Sequence, residues 1–414
     1  MPPQRRLEEG QGMTTDTFDV VIVGGGPSGA TAAHDLARKG RSVLLLDKAG
    51  RIKPCGGAIP PRLIRDFDIP ASLLVARITS ARMVSPADKE VDMPIDTGGY
   101  VGMVDRDVFD EFLRERAAEA GATRATGSFE RLSRDPDGTA VVEYQPKGAA
   151  ADAPLERIRA RLVIGADGAR SQVGKQAVPG ADKVKCVFAY HEIVEAPHGR
   201  DAAVPNYDDK RCDVYYQGKL SPDFYAWIFP HGHTVSIGTG SMHKGFSLRG
   251  SVAELRKATG FDKMRTIRHE GAPIPLKPLR KWDNGKDVLL AGDAAGVVAP
   301  ASGEGIYYAM LGGRLAADAA EEFCATRNPA ALGLARKRFM KQHGRVFWIL
   351  GIMQYFWYSS DKRREKFVKI CEDKDVQRLT WQSYMNKELV RRDPLAHVRI
   401  FFKDLAHLFG FARA

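Results

Sequence analysis

Four short apolar runs punctuate a chain that is otherwise mixed: Val20–Val23, Val43–Leu46, Leu162–Ile164 and Val288–Leu290. Runs this short, without polar alternation, predict strands buried on both faces. Between the first two, Ala30, Ala33, Leu36 and Ala37 recur at helical spacing until Gly40 stops them, so residues 19–47 predict a β-α-β unit. A different pattern fills 186–268. Phe224–Phe229 and Thr234–Gly238 alternate apolar with polar, as half-buried antiparallel strands do. Short strands are expected at 101–105, 129–132 and 140–144, with Asp135-Pro136-Asp137-Gly138 as the turn between the last two. Helices are expected over 106–120 and from about Ile306 to Ala320, and the pattern stays helical beyond Leu332.

These periods divide the chain. Residues 1–16 read as a disordered tail without a targeting segment. A discontinuous dinucleotide-binding domain takes 17–75, 101–185 and 285–330. A sheet domain for substrate takes 76–100 and 186–284, and a helical region closes the chain over 331–414. The fold class expected is α/β plus antiparallel β.

Composition narrows the partners. Five cysteines without a Cys-x-x-Cys pair argue for a reducing, cytoplasmic setting and against a metal site. The net charge is +11, and residues 331–414, with 18 Lys/Arg against 8 Asp/Glu, carry +10 of it. No nucleic-acid motif accompanies that charge, so an anionic membrane face is the expected partner. The apolar run Val346–Tyr358 spans 13 residues, short of the roughly 20 a membrane span needs. Two readings stay open. The run is a buried contact helix, or it lies in the interface with Trp348, Tyr355, Trp357 and Tyr358 at headgroup level and Lys362, Arg363, Arg364 and Lys366 on lipid phosphates.

The candidate chemistry sits at strand ends. Gly24-x-Gly26-x-x-Gly29 opens the first helix; the three glycines suit a tight turn, backbone approach to a pyrophosphate and close helix packing. Asp47, 18 residues past Gly29, is placed to accept ribose hydroxyls. Cys55, Gly56 and Gly57 stand in a loop flanked by prolines, where the thiol either faces a cofactor or fills a tight turn. Arg106 begins a helix and is a phosphate or ribose candidate. Asp167-Gly168 and Gly292-Asp293 end two further buried runs, and Gly303-Glu304-Gly305 precedes the long helix.

The order Gly24-x-Gly26-x-x-Gly29, Asp167-Gly168, Gly292-Asp293 resembles the Rossmann-like FAD-binding fold of the aromatic-hydroxylase type. The resemblance implies that these turns, Arg106 and the Gly303–Gly305 segment hold FAD. Two further stretches narrow it. Pro222-x-x-Tyr225-x-Trp227-x-Phe229-Pro230, followed by Gly238-x-Gly240, and Pro54-Cys55-Gly56-Gly57 are similar to motifs of the geranylgeranyl reductase family. The hydroxylases usually carry a histidine where this chain has Gly296. The long basic, aromatic end points to the photosynthetic branch, which reduces the geranylgeranyl group of (bacterio)chlorophyll, or geranylgeranyl diphosphate, to phytyl.

That likeness implies a peripheral membrane enzyme using FAD, with NADPH as transient reductant and a pigment synthase as a possible neighbour. Tyr225, Trp227 and Phe229 alternate, so they share one strand face and suit an apolar slot; Gly238 and Gly240 join them as substrate-site candidates. Saturating an unactivated alkene needs an acid near the flavin. Cys55 is the first candidate, with Tyr225 and Tyr215 behind it. The rival readings are a flavin monooxygenase on a lipid or aromatic substrate, and a flavoprotein without turnover that assembles pigment enzymes.

Overall fold

The computed structural model describes residues 17–387 apart from 49, 51, 96–97 and 198–203. The expected tail and positions 388–414 of the helical region lie outside the described residues.

Strand Phe18–Val23 pairs in parallel with Val43–Asp47 on one side and Glu156–Gly165 on the other. Thr123–Arg134 and Val288–Leu290 extend the parallel sheet at either edge. Helices cover this sheet, which is why its central runs show no polar alternation. Ala140–Pro146 pairs antiparallel with the far ends of Thr123–Arg134 and Glu156–Gly165; the turn before it closes through Gly138 N–H to the Asp135 carbonyl at 2.8 Å.

Helix Pro27–Arg38 starts from the first strand and packs on helix Ile306–Thr326. A Cβ on Gly313 would stand 2.1 Å from the Ser28 carbonyl, so the two helices meet backbone to backbone. That contact draws the last part of the parallel sheet's domain onto its first, across some 280 residues of chain.

The second sheet has seven strands, in the order Thr266–Pro275, Cys186–Glu195, Thr234–Ser241, Ala226–His231, Arg211–Tyr215, Ser80–Val84, Glu90–Pro94. Only the junction of Ser80–Val84 with Arg211–Tyr215 is parallel. Ile228, Val235 and Ile237 form a core with Leu255 of helix Leu248–Thr259 on one face. Trp227 and Phe229 point from the opposite face into the cleft against the parallel sheet. The alternation read from the sequence is this two-faced burial.

Helices Gly333–Trp357, Asp361–Ile370 and Lys374–Asn386 close the described chain. The apolar run divides between the two readings. Trp348 and Tyr355 are 69% and 85% exposed, whereas Trp357 and Tyr358 are buried in an aromatic cluster with Tyr216 and Phe367. The expectation that Trp357 and Tyr358 reach a headgroup layer is therefore corrected: their helical phase turns them inward. Arg364 is corrected too. It is 2% exposed, and its guanidinium serves the Pro222 and Tyr358 carbonyls. No described helix is long and apolar enough to cross a membrane.

Candidate active site

The first turn of helix Pro27–Arg38 forms one side of a cleft at the carboxyl ends of the parallel strands, where α/β sheets bind ligands. Gly24 adopts φ +106°, and a Cβ there would lie 2.4 Å from the Ala166 carbonyl. Gly29 is tighter still, with 1.9 Å between its would-be Cβ and the Gly24 carbonyl oxygen. At Gly26, by contrast, a Cβ would meet nothing within 4 Å. The open side is where the helix presents its unpaired N–H groups and positive dipole end. The Ser28 hydroxyl in this turn is buried without a hydrogen-bond partner among the described residues. An orphaned donor beside a helix N-terminus fits a pyrophosphate.

Asp47 ends the second strand and accepts the Gly25 N–H at 2.8 Å. Arg114 donates to the Gly25 carbonyl at 3.2 Å and stands 3.7 Å from Asp47. Arg114 was not singled out in the sequence; it lies eight residues past Arg106, close to two helical turns and so on the same side of helix Arg106–Glu119.

The Pro54–Gly57 loop forms the next wall. Cys55 Sγ accepts the Gly57 N–H at 3.4 Å, and the buried Arg106 guanidinium lies beside the thiol. Burial pulls Arg106 toward deprotonation, but Asp110, paired with it at 2.6 Å, outweighs that and holds it charged. Arg106 thus lines the cleft with its charge already matched. His231 clamps the loop from the other sheet: one ring nitrogen is 3.1 Å from the Gly56 carbonyl and the other 3.1 Å from Asp105. Gly57, at φ +69°, has no room for a side chain beneath that ring. Lys53 pairs with the buried Asp293 of the Gly292–Ala295 turn.

Facing these loops is the aromatic wall. The ring centroids run 6.0 Å from Tyr225 to Trp227 and 6.1 Å from Trp227 to Phe229. Tyr225 immediately precedes the strand Ala226–His231 but keeps the shared side. Its hydroxyl donates to the Ser302 carbonyl at 2.6 Å, and burial pushes the phenol far up. The Trp227 N–H donates to Ser236 Oγ at 3.1 Å, and that hydroxyl is 2.9 Å from His191, itself 3.0 Å from Glu270. Gly238 is the floor under the indole, 2.2 Å from a would-be Cβ to Trp227, and Gly240 plays that part for Phe224. Every polar tip in the wall is satisfied inside the protein, so the cavity receives carbon and π-faces. The cleft holds about 790 Å³ of empty space, its open mouth included.

The structure therefore brings together Cys55, Gly56, Arg106, Tyr225, Trp227, Phe229, Asp293, Gly303 and Gly305 around one cleft. Asp167 turns away from it. Its carboxylate accepts Ser171 Oγ and the Gln172 and Val173 N–H groups, capping helix Gln172–Ala177; Gly168, open above at φ +88°, is the part of that turn facing free space. Tyr215 is excluded as an acid for this cleft, because it lines a separate cavity with Arg82, Asp213 and Ile228. His191, His231 and Lys53 were missed. His231 directly follows the Phe229-Pro230 pair, the one signal that pointed to it.

Comparison with known proteins agrees with this geometry. Residues 17–189 match a family described as an FAD binding domain. The chain is 59% identical over 393 residues to geranylgeranyl diphosphate reductase of Rhodobacter capsulatus, covering 95% of this chain and 98% of that one. It is 35% identical to the chloroplastic enzyme of that name from Oryza sativa, over 94% and 86% of the two chains. In fold it matches a geranylgeranyl bacteriochlorophyll reductase-like protein from Thermoplasma acidophilum, with TM-score 0.78 and 23% identity over 92% and 99% of the chains.

Proposed function

The chain belongs to the geranylgeranyl diphosphate reductase family, and on that premise we propose that it is an FAD-dependent prenyl reductase saturating three C=C bonds of a geranylgeranyl group to give phytyl. The observation that carries the reading is the aromatic wall with its polar tips turned inward, set directly across from the Cys55 loop and the dinucleotide cradle. A branched alkene chain has only carbon and π-faces to offer such a wall.

FAD held here would supply, when reduced by NADPH, the hydride for a C=C bond, and one proton from the protein would complete each saturation. Gly24, Gly26, Gly29, Ser28 and Asp47 would hold its pyrophosphate and ribose, and Gly168, Asp293, Gly303 and Gly305 would close on the rest. Trp227 and Phe229 hold the tail flat and exclude water. Cys55 presents its thiol on the cleft side of a loop that His231 and Arg106 fix, and it delivers the proton. Tyr225, with its own proton committed to Ser302, closes the slot.

The exposed stripe of Trp348, Ile349, Ile352 and Tyr355, next to the exposed Lys341 and Arg345, supports docking on an anionic photosynthetic membrane, where a prenylated pigment and its synthase would reside. The test is anaerobic turnover of FAD-loaded protein with NADPH, offering geranylgeranyl pigment and geranylgeranyl diphosphate side by side. Products heavier by two, four and six hydrogens support the reading and show the preferred substrate. An oxygen added only in air would overturn it in favour of a monooxygenase.

A further inference from the structure

The loop 299–305 is held in an unfavourable shape. Ala301 sits at φ +62° and Gly303 at φ +67°, and for alanine the left-handed region is sterically disfavoured. The segment folds on itself through Ala299 N–H to the Glu304 carbonyl at 2.9 Å and Gly303 N–H to the Ala299 carbonyl at 3.0 Å. Gly303 and Gly305, on either side of Glu304, line the cleft. Glu304 itself points the other way, into the protein.

Its carboxylate is almost fully buried. One oxygen accepts the Tyr307 N–H at 3.2 Å, in the first turn of helix Ile306–Thr326. The other accepts the Tyr384 hydroxyl at 3.1 Å and Lys387 Nζ at 3.2 Å. Lys387 is equally buried, with side-chain exposures of 4% for Lys387 and 3% for Glu304. Its ammonium lies 3.9 Å from the centre of the Tyr384 ring. Lys387 directly follows the last described helix, at φ +53°. A buried ammonium and carboxylate each carry a desolvation penalty. A hydrophobic pair would stabilise the same packing at less cost, so stability alone does not account for it.

We propose that Lys387 is a positioning residue: docked on Glu304, it holds the 299–305 loop in its left-handed shape, so the turn that follows the last described helix sets how tightly FAD is bound and how readily it is reduced. This deepens the FAD-dependent reading and rests on it. The pair keeps the charge behind the loop neutral. Without the lysine, an unbalanced carboxylate would stand beside the segment expected to face the reduced, anionic cofactor.

The test uses the full chain, stripped of FAD and retitrated, with affinity read from flavin fluorescence and midpoint potential from dye equilibration. Lys387→Met should weaken FAD binding at least tenfold and lower the potential, while Lys387→Arg should restore most of both. Glu304→Gln combined with Lys387→Met removes both charges; its thermal midpoint should return toward the parent while FAD binding stays at least tenfold weaker. Parent-like affinity and potential in Lys387→Met would overturn the proposal. So would full recovery of FAD binding in the double variant, which would reduce the pair to an ordinary buried-charge penalty. Failure of the parent chain to take up FAD would instead overturn the underlying reading.

Discussion

The cradle and the aromatic wall face each other across one cleft but are built in opposite ways. The cradle is made of missing atoms: at Gly24, Gly29 and Gly313 a Cβ would fall within 2.4 Å of a carbonyl oxygen, so backbone meets backbone. The wall is made of large rings whose polar ends are anchored by the Ser302 carbonyl and the Ser236 hydroxyl. A cradle for a fixed cofactor gains from rigidity, since every substrate sees the same pyrophosphate and ribose. A wall for a chain that must present successive double bonds gains from smooth, unpolarised surface.

Substitutions separate the two regions, and the largest effect is expected where they meet. Cys55→Ala should lower turnover by about 10²–10⁴-fold, the usual worth of a placed acid, with FAD affinity unchanged by titration. Next comes the cradle alone. Gly29→Ala forces a methyl against the Gly24 carbonyl, and overpacking of about 3 kcal/mol corresponds to roughly 100-fold weaker FAD binding. Trp227→Leu should act on the wall alone, raising KM for the prenyl substrate roughly tenfold, or about 1.4 kcal/mol, while FAD binding holds.

The same contrast explains what could be read in the chain. Gly24, Gly26 and Gly29 belong to one local turn, so spacing located them, along with the strands and helices around them; Gly292 and Asp293 end a buried run legible in the chain, and the resemblance implied their place at the cofactor. The wall was half legible. Alternation put Tyr225, Trp227 and Phe229 on one face, but nothing local shows that Ser236, His191 and Glu270 would converge on the indole from three strands. Arg364, Trp357 and Tyr358 misled for a related reason: a basic, aromatic run gives its composition, whereas burial depends on where the helix packs. Asp167 likewise stands where a cofactor ligand is expected, yet spends its oxygens on a helix cap.

Smaller effects sharpen the picture. Burial raises the Glu270 carboxyl, but His191 and Arg268 outweigh it and hold it below its usual range. A lowered folded-state value stabilises at neutral pH and is lost as pH falls through it. Urea midpoints should therefore drop more steeply below about pH 4 in the parent than in Glu270→Gln. The exposed stripe should give the mildest change for turnover in detergent. Trp348→Ser with Tyr355→Ser should leave that rate unaltered and reduce sedimentation with phosphatidylglycerol vesicles by a few-fold, on the order of 1 kcal/mol.

The central claim is that cradle and wall converge on one alkene, and a single turnover tests it most directly. Protein loaded with FAD, reduced anaerobically without NADPH, would be mixed with geranylgeranyl diphosphate or geranylgeranyl pigment in deuterated water. The account predicts that the oxidised flavin spectrum returns without air and that one double bond is saturated, with deuterium from solvent on the saturated carbons. A spectrum that stays reduced with both substrates until oxygen enters would contradict it.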